Sequence, residues 1–60
     1  MPTARAIELN VGSASDGHAR LEIVSEDHSG ERFVIELIGP EPEVRAEAEF
    51  LANQYHLACA

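Results

Sequence analysis

The chain has 60 residues, 45% of them hydrophobic, and its 11 acidic side chains against four arginines give a formal net charge of −7. This length allows one domain at most, while the charge excludes direct binding to nucleic acid or to an anionic membrane and the hydrophobic content excludes a disordered chain. The lone cysteine, Cys59, rules out an internal disulfide, and the chain has neither a secretion signal nor the ~20 apolar residues that span a bilayer, so we expect a cytoplasmic protein.

Three stretches of the chain alternate apolar and polar residues with the period of two that is typical of half-buried strands. They predict strands at about residues 4–11, 18–25 and 31–38, separated by turns that close on Gly17 and Gly30. The residues expected to face the core are Ile7, Leu9 and Val11, then Ala19, Leu21 and Ile23, then Phe33, Ile35 and Leu37. Because the turns are short, we predict an antiparallel meander.

Parity and charge together predict the register of the two hairpins. Residues opposed across antiparallel strands share a face, which suggests Ile23 opposite Phe33 in the second hairpin. Arg20 then faces Glu36. In the first hairpin we prefer Glu8 opposite Arg20, because opposed unlike charges contribute roughly 0.2–1 kcal/mol and the next shift would oppose two glutamates. The outer face would then carry a structural Glu8–Arg20–Glu36 ladder.

The last third of the chain predicts one amphipathic helix at about residues 41–58. Pro42 suits its first turn, where the missing N–H does no harm, and Glu41 and Arg45 have the i, i+4 spacing of an ion pair. The stripe expected to cover the sheet is Val44, Ala48, Leu51, Tyr55 and Ala58. The predicted fold is therefore α+β, a three-stranded antiparallel β-meander with one C-terminal helix packed on one face.

A second apolar stripe, formed by Ala46, Phe50 and Leu57, lies on nearly the opposite side of the predicted helix. The single core face of a three-stranded sheet cannot easily bury both stripes. Two interpretations stay open. Scattered exposed apolar residues are normal on a protein surface. Alternatively, Phe50 and Leu57, or the outer surface of the strands, contact a partner or a second subunit.

Side chains that could carry catalysis or bind a metal do not fall into a pattern that performs either task. His56 and Cys59 have the spacing of half a zinc site, but no second pair of ligands has metal spacing. Residues 26–31 gather three carboxylates without the ligand spacing of a calcium loop. No phosphate-binding glycine loop occurs, and so small a domain should lack a pocket of about several hundred Å³. We predict a non-enzymatic protein with no catalytic residue, no metal and no cofactor.

The acidic surface is the strongest functional signal. Its two parts are the helix glutamates, Glu41, Glu43, Glu47 and Glu49, and the tip carboxylates, Glu26, Asp27 and Glu31, around the second turn. Residues three or four apart on a helix lie ~5–6 Å from one another, and duplex DNA carries one charge per ~1.7 Å of its axis. Such glutamates can present charges at spacings similar to those of a phosphate strand. The simpler interpretation is that each glutamate only keeps the protein soluble, but for the whole set we favour mimicry of DNA.

The whole chain, short, acidic, lysine-free and without an enzymatic motif, resembles the small phage-encoded inhibitors of bacterial defence complexes, the anti-CRISPR proteins in particular. Several members of that group imitate DNA with carboxylates and occupy the basic surface of a CRISPR surveillance complex. The resemblance implies partner binding in the bacterial cytoplasm by the helix glutamates first and the tip carboxylates second. The rival hypothesis is a homodimeric assembly or regulatory module joined through Phe50 and Leu57 or through the outer strands.

Overall fold

The computed structural model describes residues 4–58 and has the predicted α+β architecture. Strands β1 (Ala4–Ser13), β2 (His18–Asp27) and β3 (Arg32–Pro40) form one antiparallel sheet in the order β1-β2-β3, and helix α1 (Glu41–Tyr55) packs on one of its faces. Each strand ends two residues later than predicted, and the helix ends at residue 55 rather than at about 58.

The loop between β2 and β3 closes at the pair Asp27 and Glu31, with three residues between them, and its geometry follows from the local sequence. The Asp27 N–H donates to the Glu31 carbonyl at 2.9 Å, and the Gly30 N–H donates to the Asp27 carbonyl at 3.0 Å. Gly30 has a φ of +88°, a left-handed conformation that glycine adopts without the Cβ penalty. A turn closed by a left-handed residue in this way is a common hairpin loop, and it fixes which residues face each other farther along the strands.

The register of the second hairpin follows from this loop and differs from the prediction. With Asp27 and Glu31 as the closing pair, Ile23 lies opposite Ile35. The predicted pairing of Ile23 with Phe33 is therefore wrong by two residues. Parity gave the correct face, but only the length of the loop could give the correct partner on that face.

The register of the first hairpin also differs, and the predicted charge ladder does not form. Arg20 lies opposite Gly12 rather than opposite Glu8. Of the predicted ladder the second ion pair exists, as a diagonal contact of 3.5 Å between Arg20 Nε and Glu36 Oε2. Glu36 itself lies opposite Glu22, so the outer face of the sheet opposes two like charges that the neighbouring arginine offsets.

A bulge in β1 removes one residue from the predicted core. The pairing with β2 breaks between Ala6 and Glu8, so Ile7 is an extra residue on β1. An extra residue shifts the alternation of sides by one, and as a result Ala6 and Leu9 are both buried. Ile7, expected in the core beside Leu9, is half-buried and does not pack against the buried cluster, because strict alternation does not anticipate a bulge.

The core lies between α1 and the two strands β1 and β2. The buried apolar residues of the described chain are Ala6, Leu9, Ala19, Leu21, Val44 and Ala48. Burial of the three large ones, Leu9, Leu21 and Val44, contributes ~1.5–3 kcal/mol each, which is comparable with the whole stability expected of so small a domain. Of the predicted helix stripe, Leu51 and Tyr55 are half-buried against this core, whereas Ala58 lies beyond the helix and is exposed.

The helix ends at Tyr55 because His56 takes a left-handed conformation, with φ 57° and ψ 46°. The Leu57 N–H then donates to the Ala52 carbonyl at 2.9 Å, which closes the helix terminus. This turn takes Leu57 off the helical path and packs it, half-buried, against the core. The predicted stripe of Phe50 with Leu57 is therefore wrong, because the helical period stops one turn before it was assumed to stop.

Candidate protein-interaction surfaces

Strand β3 is an edge strand that the helix leaves largely uncovered. On the α1 side, Phe33, Ile35 and Leu37 are 39%, 47% and 41% exposed, and on the outer side Val34 and Ile38 are 59% and 55% exposed. The prediction that the first three belong to the core is wrong. Alternation correctly assigns them to the inner face, but it does not say whether another element covers that face.

The exposure of β3 has a geometric cause. A helix with its side chains is about 10–12 Å wide, and neighbouring strands are about 4.8 Å apart, so one helix covers about two strands. Here α1 sits over β1 and β2, where Val44 and Ala48 join the core cluster. It approaches β3 near Gly39, where an added Cβ would lie 3.6 Å from Val44 Cγ2. The rest of the inner face of β3 is left to solvent.

The main chain of β3 presents hydrogen-bonding groups at one of the two edges of the sheet, the other edge being β1. The pair Asp27 and Glu31 is bonded at one end of the ladder, and at the other end the Glu41 N–H donates to the Gly17 carbonyl at 2.9 Å. Because bonded and non-bonded pairs alternate along an antiparallel ladder, the odd-numbered residues of β3 bond to β2. The residues that direct both N–H and C=O outwards are Arg32, Val34, Glu36 and Ile38.

The helix glutamates are divided between two flanks of α1. Glu49 lies with Arg45 beside a depression against β1, and at 100° per residue Glu43 and Glu47 fall on the other flank, toward β3. Glu41 belongs to the β1 side, where its Oε2 accepts a hydrogen bond from Arg45 Nη2 at 3.1 Å, so the predicted i, i+4 pair is confirmed. Glu43 and Glu47 therefore form a separate exposed acidic flank.

The tip carboxylates lie at the opposite end of the molecule from the start of α1. The nine residues of β3 separate the two places, a distance of about 30 Å at about 3.3 Å per residue. The molecule extends 38 × 19 × 19 Å, so this is most of its length. Glu26 pairs with Arg5 at 3.6 Å and with Arg32 at 3.4 Å. The two predicted acidic groups do not converge on one site.

Asp27 is engaged in its own turn. Its Oδ1 accepts hydrogen bonds from Ser29 Oγ at 2.6 Å, from the Ser29 N–H at 2.9 Å and from the Glu31 N–H at 3.0 Å. The Ser29 hydroxyl most of all, and then these backbone N–H groups, hold the pKa of the Asp27 carboxyl below its ordinary value of 3.8. The side chain predicted for partner binding therefore stabilises the loop between β2 and β3, a role that Asp at the first position of a turn commonly has.

Phe50 stands alone on the solvent side of α1, 60% exposed, since Leu57 packs against the core instead. A contact surface built from both residues, as predicted, is not formed within this structure. Concave space is larger than predicted, because an open depression of about 550 Å³ lies beside Arg5 and the β2–β3 turn. The expectation that the domain lacks a depression of this size is wrong.

Within residues 4–58 no three histidine, cysteine or carboxylate side chains are grouped so that they could hold a metal ion. His56 lies after the end of α1, and Cys59, the other residue of the predicted half-site, falls outside the described residues. No helix of the described chain is long and apolar enough to cross a membrane.

Comparison of the chain with known protein families, with curated proteins and with solved structures finds no match. Function is therefore inferred from the surfaces of the molecule itself. Sequence reasoning named the outer surface of the strands as a possible contact but missed the exposure of the inner face of β3, and a signal for it was present. Residues 33–38 are apolar at both odd and even positions, with Glu36 as the exception, a pattern typical of a strand that is covered on both faces.

Proposed function

We propose that this protein is a small, non-enzymatic protein-interaction module that binds its partner through the edge strand β3. The observation that carries the proposal is the exposure of five apolar side chains on the two faces of one strand whose outward main-chain groups face the free edge. Natural proteins usually protect such an edge with charges, prolines, bulges or a short strand. Between its ends, Arg32 and Pro40, β3 carries one charge, that of Glu36.

Strand addition explains how this surface would bind. An added strand takes its affinity from main-chain hydrogen bonds and its specificity from alternate side chains on the two faces. On β3 the outward groups of Val34 and Glu36 would provide the hydrogen bonds, and Phe33 and Ile35 would provide an apolar contact on the α1 side. For a chain whose core holds three large buried side chains, an exposed apolar strand of this size is typical of an interface.

A second candidate function is competition with nucleic acid for a basic protein surface, as the resemblance to anti-CRISPR inhibitors implies. The observation that favours it is the position of Glu43 and Glu47, which are exposed on one flank of α1. All four arginines pair with other carboxylates, and within residues 4–58 neither of these two glutamates has an arginine partner. This flank would attract a basic, nucleic-acid-binding complex in the bacterial cytoplasm, with strong salt dependence.

Affinity capture from a bacterial lysate, at low and at high salt, separates the two candidates. Val34→Pro removes an outward N–H without removing a bond to β2, and an edge strand tolerates proline at such a position. Strand addition predicts that V34P loses the captured partner, whereas E43R/E47R keeps it. Loss with E43R/E47R and at high salt, with V34P unaffected, supports the acidic competitor instead. Capture that neither variant changes contradicts both functions, provided that circular dichroism shows both variants folded.

A further inference from the structure

We propose that the occupant of the β3 edge is β3 of a second copy of this chain, paired antiparallel about a two-fold axis that passes through Val34. The inference rests on the proposed function and names the partner for it. The dimer would have one continuous six-stranded sheet with β3 and the partner's β3 at its centre. Both helices would lie on the same face, because the axis is perpendicular to the sheet.

Parity limits the registers that such a dimer can have. A two-fold axis must keep the α1 face of one strand beside the α1 face of the other, and it must bring outward main-chain groups together. An axis that passes through a residue of β3 meets both conditions, whereas an axis between residues meets neither. An axis near either end of the strand pairs few residues, and the axes that pair five or more residues of β3 pass through Val34, Ile35, Glu36, Leu37 or Ile38.

Charge selects one of these five registers. An axis at Glu36 opposes two glutamates, and an axis at Ile35, Leu37 or Ile38 places neither Arg32 nor Glu36 opposite a residue of unlike charge. An axis at Val34 places Arg32 opposite the partner's Glu36 and Glu36 opposite the partner's Arg32. Both charged side chains of the strand are then matched at once, which is the complementarity expected between copies of the same strand.

The same register satisfies the main chain and the apolar side chains. Val34 meets the partner's Val34, and the two Arg32–Glu36 pairs flank it, so all these residues have outward N–H and C=O groups that can be exchanged as hydrogen bonds. On the α1 side, Phe33 lies opposite the partner's Ile35 in a non-bonded pair, the type of pair in which side chains approach most closely. The Phe33 ring and the branched Ile35 side chain of the other copy then shield each other from water.

In the dimer, the ion pairs on the outer face of one subunit would connect with those of the other subunit across the contact between the two β3 strands. On the outer face Arg5 contacts Glu26 at 3.6 Å, and Glu26 contacts Arg32 at 3.4 Å. Arg20 contacts Glu36 at 3.5 Å. Joining Arg32 to the partner's Glu36 produces a row of alternating charge that runs from Arg5 to the partner's Arg20. In a chain with a net charge of −7, β3 is locally neutral, with one arginine and one glutamate, so two copies can meet along it without net repulsion between the strands.

Charge reversal tests this register by analytical ultracentrifugation. Wild type should be a dimer, and R32E and E36R should each dimerise roughly tenfold more weakly or worse, because each reversal opposes like charges at both matched positions. An equimolar mixture of R32E and E36R should form a heterodimer, because the two glutamates of one variant, at positions 32 and 36, then lie opposite the two arginines of the other. The double variant R32E/E36R should again dimerise with itself.

Two helix variants are matched controls. R45E removes an exposed arginine from an ion pair, as R32E does, and E49R reverses an exposed glutamate, as E36R does, but both lie outside β3. Both should leave the dimer unchanged. Thermal melting followed by circular dichroism, at low protein concentration, shows whether each variant remains folded.

The outcomes separate the dimer from the wider function. A wild type that stays monomeric at all concentrations, or single variants that still dimerise and form no heterodimer, overturns the pairing about Val34. If V34P nevertheless abolishes capture of another protein, the interaction module stands and only its partner was wrong. A dimer disrupted by R32E and by E36R and restored by mixing the two variants supports the second copy.

Discussion

The central strand β2 and the edge strand β3 are made of similar residues and have opposite surroundings. Leu21 of β2 is fully buried, whereas Leu37, directly opposite it on β3, is 41% exposed. β3 is also the more apolar strand, so hydrophobicity does not explain the difference. The difference teaches that burial here depends on which two strands one short helix covers, and that the third strand keeps its apolar side chains partly exposed.

The largest effect on stability is expected from a leucine-to-alanine substitution in β2, and the same substitution in β3 tests the difference in burial between the two strands. Leu21→Ala should cost about 2–5 kcal/mol of unfolding free energy, because it leaves a cavity in a small core, and so much loss would unfold a domain this size. Leu37→Ala should cost about 1 kcal/mol, because less of its surface is removed from water. Urea denaturation of dilute protein measures both. Equal losses would show that β3 belongs to the core after all.

A smaller effect is expected at the loop that sets the position of β3 relative to β2. Gly30→Ala should cost about 1–2 kcal/mol, because the residue keeps a left-handed φ of +88° that an L side chain disfavours. Gly12→Ala is the control, since a Cβ there would meet nothing within 4 Å and its φ is not left-handed. Denaturation midpoints should therefore fall for G30A and not for G12A. The same shift in both would mean that the turn does not limit stability.

A still smaller effect concerns the carboxylate that closes the same loop. The folded-state pKa of Asp27 lies below its ordinary value of 3.8, so its charge stabilises the fold above that pH, and this contribution is lost as the pH falls through the folded-state pKa. Asp27→Asn keeps an oxygen acceptor but does not titrate there. Thermal melts should show wild type losing stability more steeply than D27N below about pH 4. Parallel curves would contradict the role of the ionised carboxylate.

The smallest expected effect is a difference in hydrogen-exchange rate between neighbouring amides of β3. It can be measured without any change in the stability of the protein. In the monomeric R32E variant, hydrogen exchange should alternate, with slow amides at Phe33 and Ile35, which bond to β2, and fast amides at Val34 and Glu36. Pairing of two wild-type copies about Val34 would make all four amides slow. Fast exchange at Val34 in wild type, at concentrations where the protein is a dimer, would place the dimer contact elsewhere.

Much of the fold could be predicted from the sequence, because local rules determine it. The period of two predicted the three strands, and the glycines predicted the positions of the two turns. Val44 and Ala48 were correctly assigned to the buried side of the helix. The errors share one cause. The bulge at Ile7, the length of the second loop and the left-handed His56 each insert an irregular residue into a regular pattern, and every position counted through them is displaced.

The candidate surfaces, like the fold, combine features that local spacing predicts with features that it does not predict. Charge and residue type alone identified Glu43 and Glu47 as exposed acids and predicted the pair of Glu41 with Arg45, because these depend on spacing within one helix. The sequence also placed Asp27 in a turn, but not the three hydrogen bonds that its Oδ1 accepts there. Their presence depends on how the loop closes.

The sequence by itself determined the strands, the helix and their order, and it determined the face of the apolar residues except at the bulge of β1 and after the end of α1, since all of these follow from local periodicity and turn chemistry. The tertiary structure alone decided which of those faces is buried. One helix is about two strands wide, so the third strand keeps its apolar side chains and its outward N–H and C=O groups exposed. No pattern within β3 records where α1 will lie, and for that reason Phe33 and Ile35 were expected in the core and are found at the surface.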